Sequence, residues 1–197
     1  MPPPAPVAGV TSIVLGRSDA PLLQRFFDDN PAYFLTVQGA PAGPSEALDE
    51  ITSLPPASYP FNETYVIGYR AESGALIALA NVVTDFLAPG VWLIGTFYVA
   101  TERHGTGLAH ALYDSIERWA SAHGARWLRL GVVLGNTRAE RFWTRVGFQN
   151  VKIRHGVVIG KRTNALQVMV KSLAGETVDC YRELVAHDRE EGSGSER

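Results

Sequence analysis

The chain has 197 residues, 46% of them hydrophobic and 19% charged, with a formal net charge of −2. That is the composition of one well-cored globular domain, and it argues against a disordered chain or a dedicated nucleic-acid binder. No apolar run reaches the roughly 18 residues needed to span a bilayer, and Met-Pro-Pro-Pro-Ala-Pro is not a secretory signal. With Cys180 as the single cysteine no internal disulfide can form, and a reducing cytoplasm is the expected compartment.

Residues 1–10 are rich in Pro and Ala and read as a flexible arm. Thr11–Leu15 reads as a short strand. Ser18 or Asp19 can cap a helix with Pro21 in its first turn and an apolar stripe of Leu22, Leu23, Phe26 and Phe27. Two more short helices follow, Ala32–Val37 ending at Gly39, and one from Ser45-Glu46 to about Ser53, ended by Pro55-Pro56. Helices this short need a surface to pack on.

Thr64–Arg70, a turn at Glu72-Ser73-Gly74 and Leu76–Phe86 form a hairpin. After Ala88-Pro89-Gly90 comes Val91–Val99, uncharged and almost wholly apolar, a strand buried on both faces. His104–Ala109 is a turn of small residues. It leads into a helix that carries Leu108, Leu112, Ile116 and Trp119 on one side and ends at Gly124. A buried strand, a glycine turn and a helix start make an anion site. Free N–H groups point out of the helix end, where the dipole favours negative charge.

Trp127–Val133 is the next strand, parallel to Val91–Val99 because a helix joins them. Asn136 caps a helix bearing Ala139, Phe142, Trp143 and Val146, terminated by Gly147. Phe148–Ile153 and Ala165–Ser172 are the last strands, with residues 154–164 as a loop rich in His, Gly, Lys and Arg. The tail from Glu176 forms an amphipathic helix through Val178, Tyr181, Leu184 and Val185, ending in a frayed stretch at Gly192–Arg197. That helix can pack on the domain or on a partner subunit, so a homodimer is open. The organisation expected is an arm (1–10), one domain (11–173) and a C-terminal helix with its tail (174–197).

Among phosphate-binding devices, the Walker string is absent, and Gly105-Thr-Gly107-Leu-Ala-His110 lacks the third glycine of a dinucleotide fingerprint. Two strings in order are more specific. The first is Val99-Ala-Thr-Glu102-Arg-His104-Gly105-Thr-Gly107-Leu-Ala109 before a helix. The second is Asn136-Thr-Arg-Ala139-Glu-Arg-Phe142-Trp143-Thr-Arg145-Val-Gly147-Phe148. On these strings the chain resembles the GNAT superfamily of acyl-CoA-dependent N-acetyltransferases. The resemblance implies an α/β (α+β) fold with a mixed, mostly antiparallel central sheet of about seven strands, flanked by helices, with splayed central strands. Gly95 in mid-strand is the expected bulge that splays them.

The resemblance also implies acetyl-CoA as acyl donor, an amine of a small molecule, amino acid or peptide as acceptor, and direct attack of one on the other. Backbone N–H groups of His104, Gly105, Thr106, Gly107, Leu108 and Ala109 would take the pyrophosphate. Phe97, Tyr98 and Val99 would pair with the pantetheine arm as an added strand. Asn136 would reach the pantetheine or cap its own helix, and Phe142 and Trp143 would stack beside it or fill the core. The family's thiolate-protonating tyrosine is replaced by Trp143, whose indole is too weak an acid for the task. Tyr98 is therefore a candidate acid, and its N–H a candidate donor to the thioester carbonyl. Asp85 is the first candidate base, with Glu63 behind it. Tyr33 reads as packing, and Arg138, Arg141 and Arg145 as a solvated face or a contact to the adenosine 3′-phosphate.

No His, Cys or carboxylate spacing suggests a metal. Residues 1–100 hold nine acids and three bases, residues 101–197 eleven and fifteen. That asymmetry suggests a cationic acceptor opposite an anionic donor. The other reading is a non-catalytic acyl-CoA-binding sensor or structural module.

Overall fold

The structure is a computed structural model that describes residues 2–189. The frayed stretch expected at 192–197 lies outside the described residues. In chain order the elements are β1 (Val10–Val14), α1 (Ala20–Asp29), α2 (Ala32–Val37), α3 (Glu46–Thr52), β2 (Thr64–Ala71), β3 (Leu76–Val83) and β4 (Val91–Val99). Then come α4 (Leu108–Ala122), β5 (Trp127–Val133), α5 (Thr137–Arg145), β6 (Gln149–Ile159), β7 (Arg162–Ser172) and α6 (Val178–Leu184). The seven strands form one sheet in the order β1-β2-β3-β4-β5-β7-β6, antiparallel except for β4–β5.

Each face of the sheet is covered by the helices whose apolar stripes fit it. Leu112, Ile116 and Trp119 of α4 and Trp143 of α5 pack with Trp92, Ile94 and Val99 on one face. Leu23, Phe26 and Phe27 of α1, Phe34 of α2 and Ala47 of α3 pack with Tyr98 and Ala100 on the other. Sheet packing thus supplies the surface that three short helices need. The segment before β1 lies against the domain: the Ser12 hydroxyl donates to the Pro3 carbonyl, and the Ser115 hydroxyl to the Pro4 carbonyl.

Two features of the sheet position everything that follows. First, β4 and β5 pair over only four residues, Val91–Ile94 against Trp127–Leu130, and then part. Second, the β3–β4 register slips by one: Asn81 faces Thr96 but Val82 faces Ile94, leaving Gly95 unmatched. This is the bulge expected at Gly95. It reverses the alternation of side chains, so Trp92 and Ile94 share a face with Phe97 and Val99.

Residues 154–164 are not a loop. β6 and β7 run on to Ile159 and Arg162 and meet in a two-residue turn, with Gly160 at φ +55°. Two register shifts bend the hairpin out of the sheet, and its tip docks on the C-terminal end of α2. There the unpaired helix carbonyls of Thr36, Val37 and Gln38 accept from the Arg162 side chain (3.0 Å), the Asn164 side chain (3.1 Å) and the Lys161 N–H (2.9 Å). A Cβ on Gly160 would sit 2.6 Å from that of Gln38, so no other residue fits this approach.

The tail helix packs on its own domain. Tyr181 and Val185 are buried with Val91, Trp127, Val151 and Val170. Beyond α6, Asp188 is fully buried and takes two bonds from Arg129 of β5, at 2.7 and 2.9 Å, and one from the Tyr181 hydroxyl at 2.7 Å. Burial alone would raise the Asp188 pKa; the bonds and charge of Arg129 outweigh it and hold the carboxyl below its ordinary value. Asp188→Asn leaves a buried guanidinium uncompensated and should cost about 3 kcal/mol at pH 7 in urea unfolding. Because the folded pKa is depressed, the wild-type advantage is present above the ordinary carboxyl pKa and fades as pH falls through the folded value.

Candidate active site

The parting of β4 from β5 opens a cleft lined by two cavities that share Tyr33, Phe97, Asn136, Ala139 and Trp143. One, of about 340 Å³, runs past Phe142 and Val99 to His104 and Ala109 at the start of α4. The other, of about 350 Å³, lies under the β6–β7 hairpin between Gly95 and Leu130–Val133.

At the α4 end, two glycines with positive φ, Gly105 (+81°) and Gly107 (+87°), turn the chain, and Gly107 is the N-cap of the helix. The His104 and Thr106 N–H groups close turns onto the carbonyls of Thr101 and Arg103, and that of Leu108 makes a long 3.4 Å bond to the Thr106 hydroxyl. From His104 to His110, the N–H groups left without a partner among the described residues are those of Gly105, Gly107, Ala109 and His110. Four open donors on a helix end fit a pyrophosphate. Of the expected donors, Gly105, Gly107 and Ala109 have open N–H groups, those of His104, Thr106 and Leu108 are bonded within the loop, and His110 adds a fourth open one. All three arginines Arg138, Arg141 and Arg145 are solvent-exposed, and of them Arg138 lines the same cavity.

The free edge of β4 is defined by its hydrogen bonds. Ala100 N–H donates to Ile77 of β3 at 2.9 Å, so alternation turns residue 98 to β3 and residues 97 and 99 to the gap. The His104 ring nitrogen Nε2 lies 2.9 Å from the Val99 carbonyl, on the gap side. Burial holds His104 below its ordinary pKa despite that bond, so the neutral ring donates through Nε2. The donors facing the gap are thus Phe97 and Val99. This corrects the assignment of the carbonyl-polarising N–H to Tyr98.

The Tyr98 side chain is also excluded as the acid. Its hydroxyl donates to the Asn30 carbonyl, its ring lies among Phe26, Phe27 and Phe34, and burial pushes its pKa up to about 12. Asp85 is excluded as the base. β3 ends at Val83, and Asp85 accepts the Gly90 N–H at 2.7 Å in the turn before β4, at the end where β4 and β5 are still paired. Glu63 accepts from the neighbouring Tyr65 hydroxyl. Asn136 caps α5, accepting the Ala139 N–H at 3.3 Å, and its side chain borders both cavities. Trp143 is buried, edge-on to Phe97 with ring centres 5.4 Å apart, and Phe142 stacks on Phe97 at 5.9 Å, forming an aromatic wall.

Two further residues flank the cleft: Glu50, not singled out from the sequence and lining neither cavity, and Tyr33, which reads there as packing and lines both. Glu50 of α3 accepts from the Asn81 side chain at 2.9 Å and from Thr96, the residues paired across the bulge. Burial outweighs both bonds and raises its pKa above the carboxylate norm. Tyr33 borders both cavities and its ring lies tilted against that of Tyr98, centres 4.9 Å apart; burial, then the charge of Glu50, pushes its pKa up. Glu50 was readable only as an acid on the Ala47–Ile51 side of a short helix. Among the described residues, no group of three or more His, Cys, Asp or Glu could hold a metal.

The family model for the Acetyltransferase (GNAT) family matches residues 23–148. The chain belongs to the GNAT acetyltransferase family. Solved structures agree on the fold. An acetyltransferase from Thermus thermophilus has 21% identity and a TM-score of 0.64, covering 85% of this chain and 99% of that one. A spermidine N-acetyltransferase from Vibrio cholerae, in complex with CoA and spermine, has 16% identity and a TM-score of 0.63 over 84% and 96%. The ribosomal-protein-S18-alanine N-acetyltransferase from Escherichia coli has 14% identity and a TM-score of 0.60 over 85% and 96%. No curated protein matches the sequence.

If this GNAT chain holds a pyrophosphate on the open donors at α4, Gly107→Glu sets a carboxylate against it. A side chain at Gly107 meets nothing within 4 Å, so the fold tolerates the change at the cost of one left-handed residue, about 1–2 kcal/mol. Calorimetry should show at least 100-fold weaker CoA binding; unchanged affinity would refute the placement.

Proposed function

We propose that the protein transfers the acetyl group of acetyl-CoA to a primary amine by direct attack. The observation that carries this reading is the continuity of the cleft. Open N–H groups stand at one end, an unpaired strand edge in the middle, and at the bulge a half-buried carboxylate whose charge acts on Tyr33, a tyrosine lining both cavities.

The chain's residues divide the work. Gly105, Gly107, Ala109 and His110 hold the pyrophosphate, and the edge of β4 pairs with the extended arm. The Phe97 or Val99 N–H donates to the thioester carbonyl oxygen, where charge develops. Glu50 takes the proton from the amine, directly or through one water, as the C–N bond forms and the C–S bond breaks. The sulfur leaves as a thiolate beside the Tyr33 hydroxyl. The raised pKa of Tyr33 makes it a hydrogen-bond donor rather than a full proton donor, and solvent supplies the last proton. Alignment of two substrates on one rigid cleft supplies much of the remaining rate.

Acetyl-CoA should raise the melting temperature, as any ligand of the native state does, and no shift at millimolar ligand would contradict the reading. With an amine panel and thiol detection, Glu50→Gln should lower kcat/KM by about 10²–10⁴. It should also remove the acid limb of the pH profile, which in the wild type falls at a pH above the ordinary carboxyl range. Tyr33→Phe should lower kcat about tenfold with little change in KM. Tight CoA binding without transfer to any amine would instead favour the sensor reading.

A further inference from the structure

The cavity under the β6–β7 hairpin is lined by two arginines, Arg129 and Arg154, and by no carboxylate. The two are not equivalent. Arg129 is fully engaged: Asp188 takes two of its N–H groups, and its guanidinium lies 5.3 Å from the centre of the Phe86 ring. Arg154 stands on β6 at the second register shift, paired with Leu166 of β7, and is partly buried. Among the described residues it has no ion pair and no hydrogen bond. Burial lowers the His187 pKa, the Asp188 carboxylate opposes this, and the charges of Arg154, Arg129 and Lys152 add to the lowering. With Arg129 paired to Asp188, Arg154 is the uncommitted guanidinium on this cavity.

We propose that the acceptor is an amine that also carries an oxyanion, a carboxylate foremost, and that Arg154 is its anchor. The proposal rests on the acetyl-transfer reading and names the substrate class for the same cleft. A partly buried, unpaired guanidinium has lost part of its hydration without gaining a partner, and a ligand oxyanion restores two parallel bonds. The remaining wall, with Val37, Leu93, Ile159 and Leu166, takes an apolar body. Glu50, bonded to Asn81 and Thr96 at the bulge rather than lining the cavity, would attract the ammonium end, and Arg154 would hold the other end. Two opposed charges would set the direction in which the acceptor enters. This departs from the cationic acceptor suggested by the acidic first half of the chain, since of those acids only Glu50 comes near the cleft and none lines the cavity that holds Arg154.

Three probes share one body: leucine, its phosphonic acid analogue, and leucinamide, which lacks the anion. Each is titrated calorimetrically into the wild-type protein saturated with CoA, and each is assayed for acetylation with rates expressed per neutral amine. Leucine or the phosphonate should bind about 10- to 100-fold more tightly than leucinamide. Arg154→Gln should bring it to the leucinamide level, and Arg154→Lys should restore only part of the difference. Undiminished CoA affinity in the variants shows that they are folded. A preference for leucine over the phosphonate identifies the anion as carboxylate, and the reverse as phosphate-like. Leucinamide binding as well as leucine, neither binding, or a preference that survives Arg154→Gln would each overturn the proposal. Acetylation of leucinamide as fast as leucine would leave the transfer reading standing and this one refuted. Arg154-dependent anion binding without any acetylation would do the opposite.

Discussion

Four residue pairs hold β4 to β5, and one unmatched residue, Gly95, follows directly on them. The cleft depends on that coincidence. Had β3 and β4 kept register, Tyr98 would share a face with Trp92 and Ile94, and Phe97 would face α1 and α2. With the bulge, Phe97 joins the aromatic wall at the gap, and Tyr98 is sent into the opposite core. The backbone follows the same alternation: residues 97 and 99 present N–H groups to the gap, and residue 98 is tied to β3. One extra residue thus decides which side chains line the site and which amides serve it.

Charge is distributed along the cleft as the proposed two-substrate reaction requires. The α4 end has open N–H groups, a helix dipole and Arg138, all suited to phosphate. The middle is aromatic and carries no charged side chain. At the bulge, Glu50 is kept short of water and more basic than an ordinary carboxylate, while the far wall is positive through Arg154. The walls are held by unrelated devices. On one side the β6–β7 tip satisfies the carbonyls that end α2. On the other the Arg129–Asp188–Tyr181 cluster pins the tail to β5, so the hairpin over the cleft and one strand of the gap are each braced from outside the sheet.

Much of this was legible in the sequence because it is local. Val91–Val99, the Gly105/Gly107 turn and the α4 stripe declare themselves within about 30 residues, and Trp127–Val133 follows from the helix that must join it to its neighbour. The bulge was legible as a glycine in a strand otherwise without one. The hairpin over 154–164 was not, because it leaves the sheet and loses the one-faced alternation that marks a strand. Its remaining signal was Gly160 at the first position of a two-residue turn. Asp85 misled because an uncharged run reads as strand beyond Val83, where the chain in fact turns with φ +51° at Asp85 itself. Glu50 and Tyr33 reach the site only through packing of short helices on the sheet, and no spacing in the sequence encodes that contact.

In the proposed reaction β4 offers an unpaired edge to the acyl donor, with residues 97 and 99 facing it and residue 98 facing away. Residue-resolved amide exchange, with and without saturating CoA, tests it most directly. The Phe97 and Val99 amides should exchange at least tenfold faster than Tyr98 in the free protein, and CoA should slow them, with Gly105 and Gly107, while leaving Tyr98 little changed. Equal protection of all three strand amides in the free protein, or no response of Phe97 and Val99 to CoA, would contradict the account.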